Sequence, residues 1–182
     1  MTTPVRPTEP LDFVQNPDEL SWLTPLQQQA WQGFLHSNRS VFAALESQLQ
    51  TESGIPLAYY AILVRLSEAP DRTLRMGELA SQLNASPSSI SHASTRLEKL
   101  GWMRRQNDPL DRRAQLAVLT DEGVDALAAA APGHIKAVRE HLLNRLTAEQ
   151  LEQLTAISQA ILSSPAAGSP DRPAESPAPG DR

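Results

Sequence analysis

Residues 86 to 101 are framed by a helix start and a helix stop. Ser86-Pro87 sets an N-cap hydroxyl before a proline at the first helical position, and Gly101 stands where a C-terminus favours a left-handed residue. At about 100° per residue, Ile90, Ala93, Leu97 and Leu100 share one face. Ser88, Ser91, His92, Thr95, Arg96 and Lys99 fall largely on the other, with Glu98 towards the flank. The period then changes to two. Trp102–Asn107 alternates, and so does Arg113–Leu119, with Leu116 and Val118 on one face; the turn-rich join is Asp108-Pro109-Leu110-Asp111-Arg112. A helix with a short, polar, basic face, followed at once by an arginine-bearing hairpin, leaves few folds open.

The rest of the chain is helical in period. Thr24-Pro25 starts a long helix carrying Leu26, Ala30, Trp31, Phe34, Leu35, Val41, Phe42, Leu45 and Leu49, and Ser53-Gly54 ends it. Pro56 opens a second helix that closes before Pro70. A short third helix is predicted over Leu74–Leu83. Thr120 caps a fifth, with Asp121 and Glu122 in its first turn as the helix dipole favours, and Pro132-Gly133 predicts a kink or break within it. Thr147 with Gln150 forms a capping box for a sixth helix ending near Leu162. The expected fold is mostly α with a small β-hairpin wing. A winged helix-turn-helix (56–120) is flanked by N- and C-terminal helices (22–55 and 121–162), all in a single domain over 22–162. Residues 1–21 are expected to form a mobile arm. Residues 163–182 hold five prolines and no Leu, Ile, Val, Phe, Tyr or Trp, so they are expected to be a disordered tail.

Composition excludes several chemistries. There is no cysteine, which removes disulfides, thiolate zinc sites and thiol nucleophiles together. No apolar run approaches the roughly 18–20 residues of a membrane span, and the first twenty residues lack the apolar segment of a secretory signal, so a soluble, cytoplasmic protein with no membrane partner is expected. The eight glycines form no phosphate-binding loop, and no nucleophile elbow or HExxH motif is present. His134 and His141 lie seven apart, whereas helical zinc pairs sit more often at i, i+4. No enzyme, cofactor or metal site is expected.

The formal net charge of −5 conceals a polarised chain. Arg75 to Leu119 carries seven basic and four acidic residues, a net +3, and the remainder carries nine basic and 17 acidic, a net −8. Only the local field matters for phosphate contact. A helix bearing short donors and acceptors fits a major groove about 12 Å wide. A preceding short helix sets its angle against the backbone, and an arginine at a hairpin tip reaches the negative potential of an adjacent minor groove.

Leu74 to Gly123 resembles the multiple-antibiotic-resistance regulator (MarR) family. The likeness is carried by Met76-Gly77-Glu78-Leu79-Ala80, Ser89-Ile90-Ser91-His92, Arg96-Leu97-Glu98-Lys99-Leu100-Gly101-Trp102, Asp108-Pro109-Leu110-Asp111-Arg112-Arg113 and Leu119-Thr120-Asp121-Glu122-Gly123. It implies a homodimer based on helices one, five and six, bound to an inverted-repeat operator on double-stranded DNA and commonly released by a small, often phenolic, molecule. Two positions depart from the family's habit: His92, often arginine, and Leu110, often basic.

The resemblance puts Arg113 in the minor groove, with Asp111 orienting its guanidinium and Arg112 on a phosphate. Ser86, Ser88, Ser89, Ser91, His92 and Thr95 are the candidates for base-edge or phosphate contact. Arg96 and Lys99 are candidate backbone contacts, Arg96 alternatively bracing the fold through a carboxylate such as Glu78. Candidate effector-pocket residues are Trp31, Phe34, Asn38 and Arg39 on the first helix and Tyr59 and Tyr60 on the second. The function expected is a repressor of a nearby promoter relieved by that ligand. Two alternatives remain: a nonspecific, architectural DNA-binding protein without an effector, and a helical protein–protein adaptor.

Overall fold

A computed structural model describes residues 23–111 and 113–163. The expected arm, Trp22, Arg112 and residues 164–182 lie outside the described residues. The elements run α1 (Pro25–Ser53), α2 (Leu57–Glu68), β1 (Thr73–Arg75), α3 (Met76–Gln82), α4 (Pro87–Lys99), β2 (Met103–Asn107), β3 (Gln115–Leu119), α5 (Asp121–His141) and α6 (Ala148–Ser163). Short 3₁₀ turns, Pro70–Arg72 and Leu143–Arg145, precede β1 and follow α5. The chain divides into two compact units, 1–43 and 44–182, with the boundary inside α1.

In the first unit, Thr24 and Gln27 cap α1 reciprocally: the Thr24 N–H donates to Gln27 Oε1 at 2.8 Å and the Gln27 N–H to Thr24 Oγ1 at 3.3 Å. Leu26, Trp31, Phe34, Leu35 and Phe42 are all exposed.

In the second unit the main core draws on every element from α2 to β3. Ile62, Leu63 and Leu66 meet Leu74, Leu79, Ala80, Ile90, Ala93, Leu97, Met103, Ala117 and Leu119. A smaller cluster joins Leu49, Ile55, Tyr60 and Ala130. The three strands form an antiparallel sheet in the order β1-β3-β2. β1 corrects the sequence reading, which placed Leu74 and Arg75 in a helix. Leu74 instead pairs opposite Ala117 and enters the core from the sheet, so α3 begins only at Met76. Pairing Met103 with Leu119 and Leu74 with Ala117 also fixes which side of β3 packs inward. Ala117 and Leu119 enter the main core, and Leu116 and Val118 take the opposite parity.

Caps locate the helices. Ser86 Oγ accepts the Ser89 N–H at 3.1 Å, and Thr120 Oγ1 accepts the Gly123 N–H at 3.1 Å. Gly101 closes α4 with φ +76°, a conformation that disfavours any side chain. A Cβ on Gly123 would overlap the Trp102 carbonyl oxygen, so only glycine lets α5 start this close to β2. Of the kink or break expected at Pro132-Gly133, the break does not occur: α5 runs on to His141 with Pro132 inside it. There Gly133 lies against the side chains of Gln48 and Glu52, which occupy the space a Cβ would need. At the next capping box, the Thr147 N–H donates to Gln150 Oε1 at 2.9 Å and the Gln150 N–H to Thr147 Oγ1 at 3.2 Å. α6 then extends one residue past the expected end, to Ser163.

Candidate nucleic-acid interface

α4 divides as its sequence requires. Ile90, Ala93, Ser94 and Leu97 are buried, and Ser86, Ser88, Ser89, Ser91, His92, Thr95, Arg96 and Lys99 are all exposed. Leu100, grouped with the apolar face by its angle, is instead half exposed at the C-cap. At the N-terminal end the Ser86 hydroxyl lies 3.0 Å from Ser88 Oγ and 2.8 Å from Ser89 Oγ. Three hydroxyls are therefore concentrated where a helix presents free N–H groups and positive potential. Farther along, His92, Thr95, Arg96 and Lys99 border a groove floored by Ala58, Tyr59 and Ala93.

The basic residues separate into two kinds, a distinction that counting charges along the sequence cannot make. Arg105 shares the parity of Met103, so it lies on the helix-facing side of the sheet. Its Nε donates to Glu98 Oε2 at 2.8 Å, its backbone N–H to Glu98 Oε1 at 2.9 Å, and its Nη2 to Thr95 Oγ1 at 3.0 Å. The Thr95 hydroxyl in turn donates to the Ser91 carbonyl at 3.0 Å, so its proton is already engaged. The Arg105 guanidinium, by its hydrogen bond above all, holds the Glu98 carboxyl below its ordinary pKa. Arg75 is committed likewise, its Nη2 and Nε lying 2.7 and 2.9 Å from Asp108 Oδ2. Among the described residues, no ion pair ties up Arg96, Lys99, Arg104 or Arg113, which remain to face a polyanion.

Asp108 organises the wing. It is only 5% exposed, and its Oδ1 accepts the Leu110 N–H at 2.8 Å while Oδ2 takes Arg75. The Leu110 N–H first, and Arg75 with it, hold its carboxyl below the ordinary carboxylate range. The Asp108 N–H donates to the Ala114 carbonyl at 3.1 Å and the Ala114 N–H to the Asp111 carbonyl at 2.9 Å. Asp111 was expected to orient the Arg113 guanidinium. Its Oδ1 instead accepts the Arg113 backbone N–H at 3.0 Å, leaving the exposed guanidinium free of it. Arg96 makes no brace with Glu78, whose carboxylate accepts from Gln82 at 3.4 Å.

The other candidates lie elsewhere. In the first unit Trp31 and Phe34 stack with ring centroids 6.3 Å apart, and Phe34, Asn38 and Arg39 border a shallow pocket on α1. In the second, Tyr59 floors the α4 groove, and the buried Tyr60 ring lies 4.4 Å from that of His134. Burial raises the Tyr60 pKa and lowers that of His134, whose Nδ1 is enclosed without a hydrogen-bond partner. Among the described residues no group of three or more His, Asp or Glu side chains is placed to hold a metal ion, and no helix is long and apolar enough to cross a membrane.

Comparison with known proteins places this geometry. A MarR family transcriptional regulator of Streptomyces coelicolor, Sco3205, solved in complex with DNA, is 44% identical; the match covers 78% of this chain and 92% of that one, with a TM-score of 0.74. AbsC, a second MarR family transcriptional regulator of that organism, is 38% identical over 79% of this chain and 96% of its own, also at 0.74. The chain belongs to the MarR family of transcriptional regulators. The MarR family model itself matches residues 55–114, from just before α2 to the loop that precedes β3. The transcriptional regulator HosA of Escherichia coli is 29% identical over 118 residues, 64% of this chain and 85% of its own.

Within this MarR regulator, the sequence reading selected the exposed face of α4 but missed the residues that hold it in place. Asp108 was read only within the turn-rich join, and Arg105 only as one of the basic charges. The missed signal was parity: Arg105 lies two residues beyond Met103, on the same side of its strand, while Glu98 was already placed on the flank of α4.

Proposed function

We propose that this MarR family regulator binds double-stranded DNA as a homodimer and represses the promoter it covers. The observation that carries the reading is the exposed polar face of α4 together with an exposed wing arginine, Arg113, that no ion pair among the described residues engages, while Arg75 and Arg105 are held by carboxylates. α4 lies in the major groove, where Ser88, Ser89, Ser91 and His92 face base edges and phosphates. Ser86, Arg96, Lys99 and Arg112 contact the backbone, and Arg113 enters the adjacent minor groove. Thr95 is a weaker base reader than its neighbours, because its hydroxyl proton is spent on Ser91.

Dimerisation is supported by α6, which buries no residue in its own chain and exposes Ile157, Ile161 and Leu162. Two-fold symmetry then calls for an inverted-repeat operator with half-sites about 34 Å apart. A small aromatic effector, such as a phenolic carboxylate, releases the dimer by favouring an arrangement whose reading helices no longer match that spacing. Trp31, Phe34, Asn38 and Arg39 of the first unit are the residues assigned to it.

The test is a footprint of the full chain over its own promoter. Arg113→Ala is expected to abolish the specific footprint while sedimentation still reports a dimer. A footprint unchanged in that variant would remove the wing from the mechanism. Binding that is steeply salt-dependent yet indifferent to sequence would favour an architectural protein instead.

A further inference from the structure

Leu110 is 91% exposed, the most exposed large apolar side chain among the described residues. Its setting is unusual for a stray surface leucine, because the loop around it is pinned. The Leu110 N–H donates to Asp108 Oδ1 at 2.8 Å, and Asp108 is buried and clasped by Arg75. On the other side Asp111 Oδ1 holds the Arg113 N–H at 3.0 Å. The wing thus presents an apolar side chain whose own N–H is hydrogen-bonded, three residues from an arginine that no ion pair among the described residues engages.

An arginine draws the tip to phosphates, and the apolar surface nearest to phosphates in a minor groove is the deoxyribose wall. A leucine there can neither donate nor accept a hydrogen bond. It therefore responds to the one polar donor that differs between base pairs in that groove, the guanine 2-amino group. Covering that group without a partner is unfavourable, whereas an A·T pair has no such donor to strand. We propose that Leu110 is a specificity-determining contact that packs against the minor-groove sugars and disfavours a G·C pair beneath the wing. The inference rests on the duplex-binding reading above and adds a residue and a preference to it.

The experiment uses the full-length protein and the best duplex it selects from a random-sequence pool. The base pairs under the wing are located by footprinting, then replaced by G·C or by inosine·C, which lacks the 2-amino group. Wild type is expected to bind the A·T and inosine·C duplexes alike and the G·C duplex several-fold more weakly. Leu110→Ala is expected to lose about three- to tenfold affinity for the A·T duplex, with an unchanged slope of affinity against salt and with the discrimination gone. Leu110→Lys should steepen that slope by about one phosphate contact. Because the side chain is solvent-exposed, neither variant endangers the fold. Equal discrimination by Leu110→Ala and wild type, or an equal loss on every duplex, overturns the proposal. If Arg113→Ala weakens binding while Leu110→Ala changes nothing, this inference alone falls. If wild type selects no duplex, the duplex-binding reading falls with it.

Discussion

α4 and α6 are both amphipathic, at 13 and 16 residues, yet their apolar faces meet different fates. α4 spends its apolar positions on its own chain: Ile90 and Leu97 are sealed beneath the sheet and α2, and what remains outside is hydroxyl and positive charge. α6 buries nothing. Leu154, Ile157 and Ile161 recur on one side of it, with Ile157 57% and Ile161 59% exposed. The pattern that yields a finished helix in one place yields an unfinished one in the other. The difference lies in whether the chain supplies a partner surface.

The comparison can be broken by charging each helix's apolar face or hollowing it out. The double variant Ile157→Asp, Ile161→Asp is expected to have the largest effect, shifting sedimentation from dimer to monomer at micromolar concentration. Each isoleucine contributes roughly 1.5–3 kcal/mol of burial, and two-fold symmetry counts each of them twice. An unchanged mass would mean that α6 is not the interface. Leu97→Ala in α4 should cost about 2–5 kcal/mol in denaturant unfolding, since Leu97 is fully buried and its truncation leaves a cavity in the main core. The oligomeric mass of that variant should stay unchanged where it remains folded.

Smaller effects sharpen the contrast on the α4 side. Glu98→Gln removes the charge that orients Arg105 but keeps the shape, and should weaken duplex affinity a few-fold without altering the dimer. Gel-shift titration with the selected duplex would measure it, and full wild-type affinity would show that the brace is dispensable. Smallest is a pH effect from the enclosed His134. Its folded pKa lies below the unfolded value of about 6.5, so the unfolded chain binds the proton more readily. Stability should therefore fall as pH drops from about 6.5 towards the folded pKa, and His134→Phe should flatten thermal-melt profiles across that window. A wild-type profile already flat there would show that His134 is not held neutral.

Much of this was legible from order along the chain. Caps at Thr24, Ser86, Thr120 and Thr147 mark the starts of helices α1, α4, α5 and α6, because each start demands an acceptor for free N–H groups. The exposed face of α4 followed from its period. β1 was not legible: three residues are too few to show alternation, and Leu74 is in a strand only because Ala117 lies opposite it. The roles of Asp108 and Arg105 were hidden for a similar reason. Asp108 answers to Arg75, 33 residues away, and Arg105 to a helix whose angle only the fold sets. Pro132 does not break α5, because propensity speaks for an isolated helix, whereas α5 is held by its neighbours.

The contacts that Arg105 makes with Glu98 and Thr95 reach beyond local order. On the proposed duplex-binding reading, locking the stem of the hairpin to the helix beside it would make one protomer a single calliper with fixed jaws. The offset in base pairs between its two grooves of contact would then be the same on every target. Such a protein should tolerate substitutions within a half-site better than an inserted base pair between its two parts.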